Sequence, residues 1–419
     1  MTRRPLVALL AAETVSGVGT RMSALALPWF VLVATGSPVR AGLVAFVEML
    51  PYVVAAGAGG PLIDRVGGRR FSIAADAASA VAVAAVPVFH DRVGFGGLLV
   101  LVGLAGALRG FGDLSKEAVF ARVVGGSGVE LTRATGLQDG LSRLATLLGA
   151  PAGGVLIAVF DAPTVLLFDA ATFVTSALLV AALVRVPPMD LPVSAHEPYL
   201  PALRAGIGFV RRDRLVAAIL VMLFATNLFD AAHSSVLLPL WARTVVGSPV
   251  VLGVVSAVFA AGAVLGNVAF TAFAPRAPRF ALFTLGFLVG GGPRFLAAGA
   301  TTELWVIYPV AFVAGLSVAA VNPILGAVMY ERIPPHLMAR VQGLGTSVAW
   351  AGIPLGGLAG GWVAEAVGVR WALIGFGVLY LLVTLAPLVQ PAWRGLDDRP
   401  AAPAEAPADA GPIEAPVAR

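Results

Sequence analysis

The chain has 419 residues, of which 58% are hydrophobic and only 12% charged, with a formal charge of +5 and a mean hydropathy of +0.91. A soluble domain carries about a quarter charged residues, so this chain has too little polar surface to face water, and its basic residues are scattered singly rather than gathered into the patch that nucleic acid requires. The absence of cysteine excludes disulfides, thiolate metal sites and cysteine nucleophiles, and the dispersed His90, His196, His233 and His336 form no local metal box.

Taken in order, the apolar runs between Gly, Pro and charged breaks predict spans over 6–34, 41–62, 71–90, 96–120, 134–159 and 164–186. After a polar joint the series resumes over 215–243, 250–273, 280–300, 304–330, 340–366 and 370–390. The length accommodates about twelve spans of roughly 20 residues each, hence an all-α integral membrane fold. Arg3-Arg4 and the run that follows imitate a secretory signal, but the run continues past Glu13 to Thr35 with no small-residue cleavage site, so it is taken as a retained first helix. Residues 187–214 begin with Pro187-Pro188 and hold the amphipathic stretch from Ala202 to Arg212, read as a short interfacial helix joining two halves, 1–186 and 215–390. From Pro391 to Arg419 the chain is rich in Ala, Pro and acid, which predicts a disordered cytoplasmic tail.

Orientation follows from arginine. With both termini cytoplasmic, the inside segments hold Arg3, Arg4, Arg65, Arg69, Arg70, Arg211 and Arg212 among others, whereas the outside segments hold only Arg40, Arg92, Arg243 and Arg370. That asymmetry is the positive-inside pattern, and it predicts a multi-pass protein of a bacterial cytoplasmic membrane.

The two halves repeat. Gly36-Ser37-Pro38-Val39 before Gly42 recurs as Gly247-Ser248-Pro249-Val250 before Gly253, with Leu27-Pro28 and Leu238-Pro239 at the same offset. Gly149-Ala150-Pro151-Ala152-Gly153-Gly154 recurs as Gly352-Ile353-Pro354-Leu355-Gly356-Gly357. A repeat over an even number of spans keeps its orientation, so the halves are parallel repeats about an axis along the membrane normal, an arrangement that places a solute site between them near the midplane.

Ionisable residues inside spans are costly and are functional candidates by default. Those singled out are Glu13, Arg21, Glu48, Arg109, Asp113, Lys116, Glu117, Asp139, Arg143, Asp230 and His233. Arg109, Asp113 and Lys116 or Glu117 recur at helical spacing, as do Asn227, Asp230 and Ser234, giving two polar faces. The alternative for each charge is a structural pair between helices, preferred for Glu117 and Asp139. Asp230 is the best placed of the buried carboxylates to load and release a proton, with Glu13 and Asp113 as substitutes.

The loop after the second span reads Gly60-Pro61-Leu62-Ile63-Asp64-Arg65-Val66-Gly67-Gly68-Arg69-Arg70 and resembles the loop signature of the major facilitator superfamily. Together with Thr35-Gly36-Ser37-Pro38, Leu50-Pro51-Tyr52, the Gly206–Arg212 joint and the Gly-x-Pro-x-Gly-Gly repeat, it looks like that family's drug and siderophore exporter branch, the macrolide-efflux-like proteins. The likeness runs from the first span to the last and omits the tail. Gly68 stands where the family usually has a base, which Arg69 would replace; Pro275–Arg279 lacks the acid of the equivalent loop; and Ala150 stands where the antiporter signature has Gly.

The resemblance implies a cytoplasmic gate of Gly60, Asp64, Arg65, Arg69 and Arg70, latching near Arg340 at the start of the eleventh span. It also implies helix-packing roles for Gly149, Pro151, Gly153, Gly154, Gly352, Pro354, Gly356 and Gly357. Because spans 1, 4, 7 and 10 line the cavity in that family, Arg21, Arg109, Asn227, His233 and Asn322 are expected to face the substrate. The expected function is export of a small hydrophobic or amphipathic compound by proton antiport with alternating access. A proton-coupled importer of the same fold and a non-transporting receptor or scaffold are the alternatives. The expected partners are a small-molecule substrate, protons and membrane lipids, with a monomer and no nucleic acid, metal or cofactor. An enzyme is not expected, since no nucleotide-binding Gly-rich loop ending in Lys-Ser or Lys-Thr and no nucleophile triad can be assembled.

Overall fold

A computed structural model describes residues 3–58, 62–63, 66–129, 131–186, 199–273, 278–334 and 337–398. Among these every regular element is helical. The first half holds α1 (Arg4–Thr35), α2 (Pro38–Ala58), α3 (Gly68–His90), α4 (Arg92–Ser127), α5 (Leu131–Val159) and α6 (Ala162–Leu183). A linker helix α7 (Tyr199–Arg212) precedes α8 (Arg214–Val246), α9 (Val250–Phe273), α10 (Arg279–Ala300), α11 (Leu304–Arg332), α12 (Met338–Val367) and α13 (Val369–Val389).

Eleven described helices are long and apolar enough to cross a membrane. They are α1 to α6, α8 to α11 and α13; α12, at thirty residues, has the length, but its many glycines lower its hydropathy. The predicted spans agree with the helices to within a few residues, because the breaks that define them are physical. Gly36, Gly128 and Gly247 adopt left-handed backbone at the ends of α1, α4 and α8, a conformation open to glycine at no steric cost. Asp213 caps α8 by accepting from the amides of Leu215 and Val216, both at 3.0 Å. Asp161 caps α6 at the Thr164 amide, 2.7 Å away, and the Thr164 hydroxyl and amide hold its carboxyl below the usual range.

The repeat in sequence is a repeat in packing. Within the halves α1 packs on α5 and α6, and α8 packs on α12; between the halves α2 lies along α12 and α5 along α9. The twin Gly-x-Pro-x-Gly-Gly motifs make these approaches possible. A Cβ on Gly149 would stand 2.6 Å from the Val18 carbonyl oxygen and one on Gly153 3.0 Å from the Met22 Cα, both in α1, while one on Gly154 would stand 2.9 Å from the Gly253 nitrogen in α9. In the second half Gly352 and Gly356 meet the α8 carbonyls of Phe224 and Leu228, and a Cβ on Gly357 would lie 2.9 Å from Ala45 in α2. Each motif thus faces a helix of its own half on one side and a helix of the other half on the other. Pro151 and Pro354 lie inside α5 and α12, where a proline removes one backbone hydrogen bond and favours a bend.

One boundary differs from expectation. Residues 391–398 do not begin a disordered tail: Pro391–Leu396 forms a 3-10 turn with Trp393 and Leu396 buried, and the Trp393 ring centroid lies 5.6 Å from that of Phe283 in α10. The Asp397 carboxylate accepts from the Phe280 amide, and Asp398 lies 3.7 Å from Arg332, which also pairs with Asp213 at 3.1 Å. A single tryptophan supplies the apolar burial that the composition of the segment as a whole lacks. Residues 399–419 lie outside the described residues. Of the joint, Tyr199–Arg212 is helical as expected, and its Phe209 and Val210 pack against Val216, Leu220, Ile333 and Val341; residues 187–198 lie outside the described residues.

Candidate functional site

Midway along α8 the Asp230 carboxylate accepts a hydrogen bond from the Arg294 guanidinium of α10. Arg294 is set by its surroundings, with its guanidinium carbon 5.5 Å from the Phe259 ring centroid and 5.4 Å from that of Phe295. Two turns of backbone irregularity bring the groups together. The helix α10 breaks at Gly291 and restarts at Gly292, with Pro293 in its first turn, so Arg294 lies in the first turn of its outer segment, and α8 widens into π geometry over His233–Leu237. His233 is buried with its ring 4.6 Å from Phe295. The Asp230 side chain nevertheless keeps 41% of its surface accessible, so the pair lies deep in the bundle without being sealed by packing. The Nε of Arg294 is buried with no hydrogen-bond partner.

The first half holds a second group of charges around a cavity of about 480 Å³ between α1, α2, α4 and α5. Its lining combines Glu13, Asp113, Glu117 and Arg21 with apolar Leu10, Phe120 and Leu141. Glu13 accepts from the Gln138 amide at 3.0 Å, and Asp113 from the Tyr52 hydroxyl at 3.1 Å. One turn along α4, Arg109 pairs with Glu48 of α2 at 2.9 Å, its guanidinium carbon 4.8 Å from the Tyr52 ring centroid. Beneath them Asp169 of α6 is buried and accepts from the Ser23 hydroxyl at 2.5 Å. Lys116 is also buried, 2.9 Å from Asp76 of α3 and donating to Ser16 at 3.3 Å. Among the described residues no group of three or more potential ligands could hold a metal ion.

A bundle of two packed, parallel helical repeats with ion pairs inside each half is matched by known proteins along nearly the whole chain. The family profile of the Major Facilitator Superfamily matches residues 9–352. The chain belongs to that superfamily. It is 31% identical over 414 residues to the Multidrug efflux pump Tap of Mycobacterium tuberculosis, covering 97% of this chain and 98% of that protein. It is also 22% identical over 385 residues to Macrolide efflux protein A of Streptococcus pyogenes, with 90% and 94% covered. Among solved structures, the nucleoside transporter NupG superposes with a TM-score of 0.72 at 12% identity, covering 91% of this chain and 98% of that one. A bacterial homologue of the human lysosomal transporter Spinster, solved inward-facing and unoccupied, gives 0.71 at 15% identity, with 94% and 98% covered. This superfamily member is a multi-pass membrane protein in a family of transporters.

Within this superfamily fold the residues expected in one cavity fall into three places. Arg21 lines the first-half cavity, Arg109 faces Glu48 and a smaller space beside Asp169, and Asn227 and His233 belong to the second half. Asn227 donates to the Ala349 carbonyl at 2.9 Å and so ties α8 to α12, while Asn322 is exposed beside the break between the two segments of α11. Asp230, Glu13 and Asp113, expected to share one role, are divided between the halves: Asp230 pairs with Arg294, whereas Glu13 and Asp113 line the first-half cavity.

At the gate loop, Gly60, Asp64 and Arg65 lie outside the described residues, as do the side chain of Arg340 and that of Asp139. Arg69 donates to the carbonyls of Val184 at 2.6 Å and Ala181 at 2.5 Å and so caps the end of α6; Arg70 is exposed. Sequence reasoning missed Arg294, Asp76 and Asp169. All three are charges embedded in apolar runs, the same signal that picked out Asp230 and Arg109.

Proposed function

We propose that the chain exports small hydrophobic or amphipathic compounds from a bacterial cell by proton antiport, with both termini in the cytoplasm of a cell whose inner membrane it spans. The observation that carries the coupling mechanism is the Asp230–Arg294 pair, a carboxylate and a guanidinium from different helices, deep in the bundle and partly accessible. The efflux-pump names of the relatives, which match along nearly the whole chain, support export. The arginine asymmetry supports the orientation.

A deprotonated Asp230 pairs with one terminal nitrogen of the Arg294 guanidinium. When a proton reaches the carboxylate the ion pair is lost, and Arg294 is left charged between two aromatic rings in a medium of low dielectric, which favours a rearrangement that brings it another partner. Return of the proton to the other side restores the pair, so the protonation state and the arrangement of the halves are linked. The 480 Å³ cavity of the first half has a volume suited to a small molecule, with apolar walls and a few polar groups that orient it.

The test is transport in proteoliposomes with an imposed pH gradient, using ethidium and the macrolide erythromycin as probes. Asp230→Asn resembles the protonated acid in shape and charge. It is expected to lose gradient-driven transport while retaining exchange of labelled for unlabelled probe, which needs no net proton movement. Glu13→Gln and Asp113→Asn are compared alongside. Unchanged gradient-driven transport by Asp230→Asn would move the coupling role to Glu13 or Asp113, and full coupling in all three would overturn proton antiport as assigned.

A further inference from the structure

At the end of the bundle opposite the termini, the turn between α1 and α2 presents two helix ends side by side. The last carbonyls of α1 carry partial negative charge and the first amides of α2 partial positive charge. The second half contributes one charge to each. Arg243 of α8 donates to the Leu32 carbonyl of α1. Glu365 of α12 accepts from the Val39 amide at 3.2 Å and from the Ser37 hydroxyl at 2.9 Å, while that same hydroxyl receives the Arg40 amide at 3.3 Å. Pro38 has no amide hydrogen, so the start of α2 is capped partly by its own Ser37 and partly from the opposite half.

We infer that Glu365 and Arg243 form a latch that holds this end of the transporter closed by capping α2 and α1 across the seam between the halves. Both contacts join the two halves, and neither can persist if the halves separate here. Beneath them the backbones are already close: a Cβ on Gly361 would lie 2.5 Å from the Pro38 carbonyl oxygen. The latch is one-sided. In the register that aligns Gly36 with Gly247, the counterpart of Arg243 is Leu32, the very residue whose carbonyl it caps. At the same end of the equivalent seam between α5 and α9, Gly154 lies backbone to backbone against Gly253. Opening at this end therefore exposes to water one charged cap on α1 and one on α2.

The inference rests on the reading that the halves alternate, and the experiment separates the two. Because the chain has no cysteine, a spin-label pair at Val159→Cys and Trp371→Cys, both exposed at this end, reports the separation of the halves in nanodiscs by pulsed electron resonance. Glu365→Gln and Arg243→Gln are each expected to raise the ratio of separated to closed molecules about tenfold, the scale of a charged helix cap. Ser37→Ala should shift it in the same direction by less, and Glu303→Gln, an acid at the same end that starts α11, should leave it alone. Gly361→Leu, which forces α2 from α12, shows whether a separated state exists. A shift with Gly361→Leu and none with Glu365→Gln, Arg243→Gln or Ser37→Ala overturns the latch. Failure of Gly361→Leu as well overturns alternation and the latch with it.

Discussion

Lys116 and Asp76 face each other 2.9 Å apart with almost no solvent exposure, joined by Ser16 and Ser176, so that α1, α3, α4 and α6 meet at one buried charge pair. Burying two charges is costly, and removing one partner leaves the other uncompensated, so Lys116→Met is expected to destabilise the protein by about 3–5 kcal/mol. The double replacement Lys116→Met with Asp76→Leu should recover most of that loss. Thermal unfolding in detergent measures both, and additive effects would show that the pair is not a unit. Here the limit of sequence reasoning is plain. An ionisable residue in an apolar run announces that it has a partner or a function, but the partner lies on another helix, as Asp76 does for Lys116 and Arg294 for Asp230, and spacing along one helix cannot supply it. Asp113 and Lys116 share a helix and a spacing, yet one meets Tyr52 and the other Asp76. Arg294 lay inside the predicted span 280–300 without being singled out, and the structure places it in the first turn after a break in that span.

At the level of elements, glycine has two distinct uses. Where a helix crosses another at backbone distance, as at Gly352 and Gly356 against α8, any side chain displaces the neighbour; where nothing lies within 4 Å, as at Gly375 in α13, glycine only weakens the helix. Gly356→Ala is therefore expected to destabilise or inactivate, whereas Gly375→Ala should raise stability by about 0.5–1 kcal/mol through helix propensity. Melting temperatures of the two variants in the same detergent check this, and equal effects would contradict the packing assigned to the motif. The motif was legible because its period, its prolines and its recurrence in both halves are all local features. Which neighbours it meets was not, since that depends on how the halves close. The end of the chain shows the same division: Trp393 was visible in the sequence, but its fit beside Phe283 depends on α10 and α13 being in place.

For the molecule as a whole, composition and the repeat were enough to establish twelve helices in two parallel halves, because lipid admits so few solutions for the backbone. The functional centre was only half legible, since its charges are paired with residues of other helices, as Asp230 is with Arg294 and Arg109 with Glu48. The central claim is that solute leaves as protons enter through the Asp230–Arg294 pair. It is tested most directly by proteoliposomes holding a pH-sensitive dye, in which ethidium movement and proton movement are recorded together. The expected result is that adding ethidium on one side drives protons the opposite way, and that Asp230→Asn abolishes the proton signal. Protons moving in the same direction as ethidium, or a full proton signal in Asp230→Asn, would contradict it.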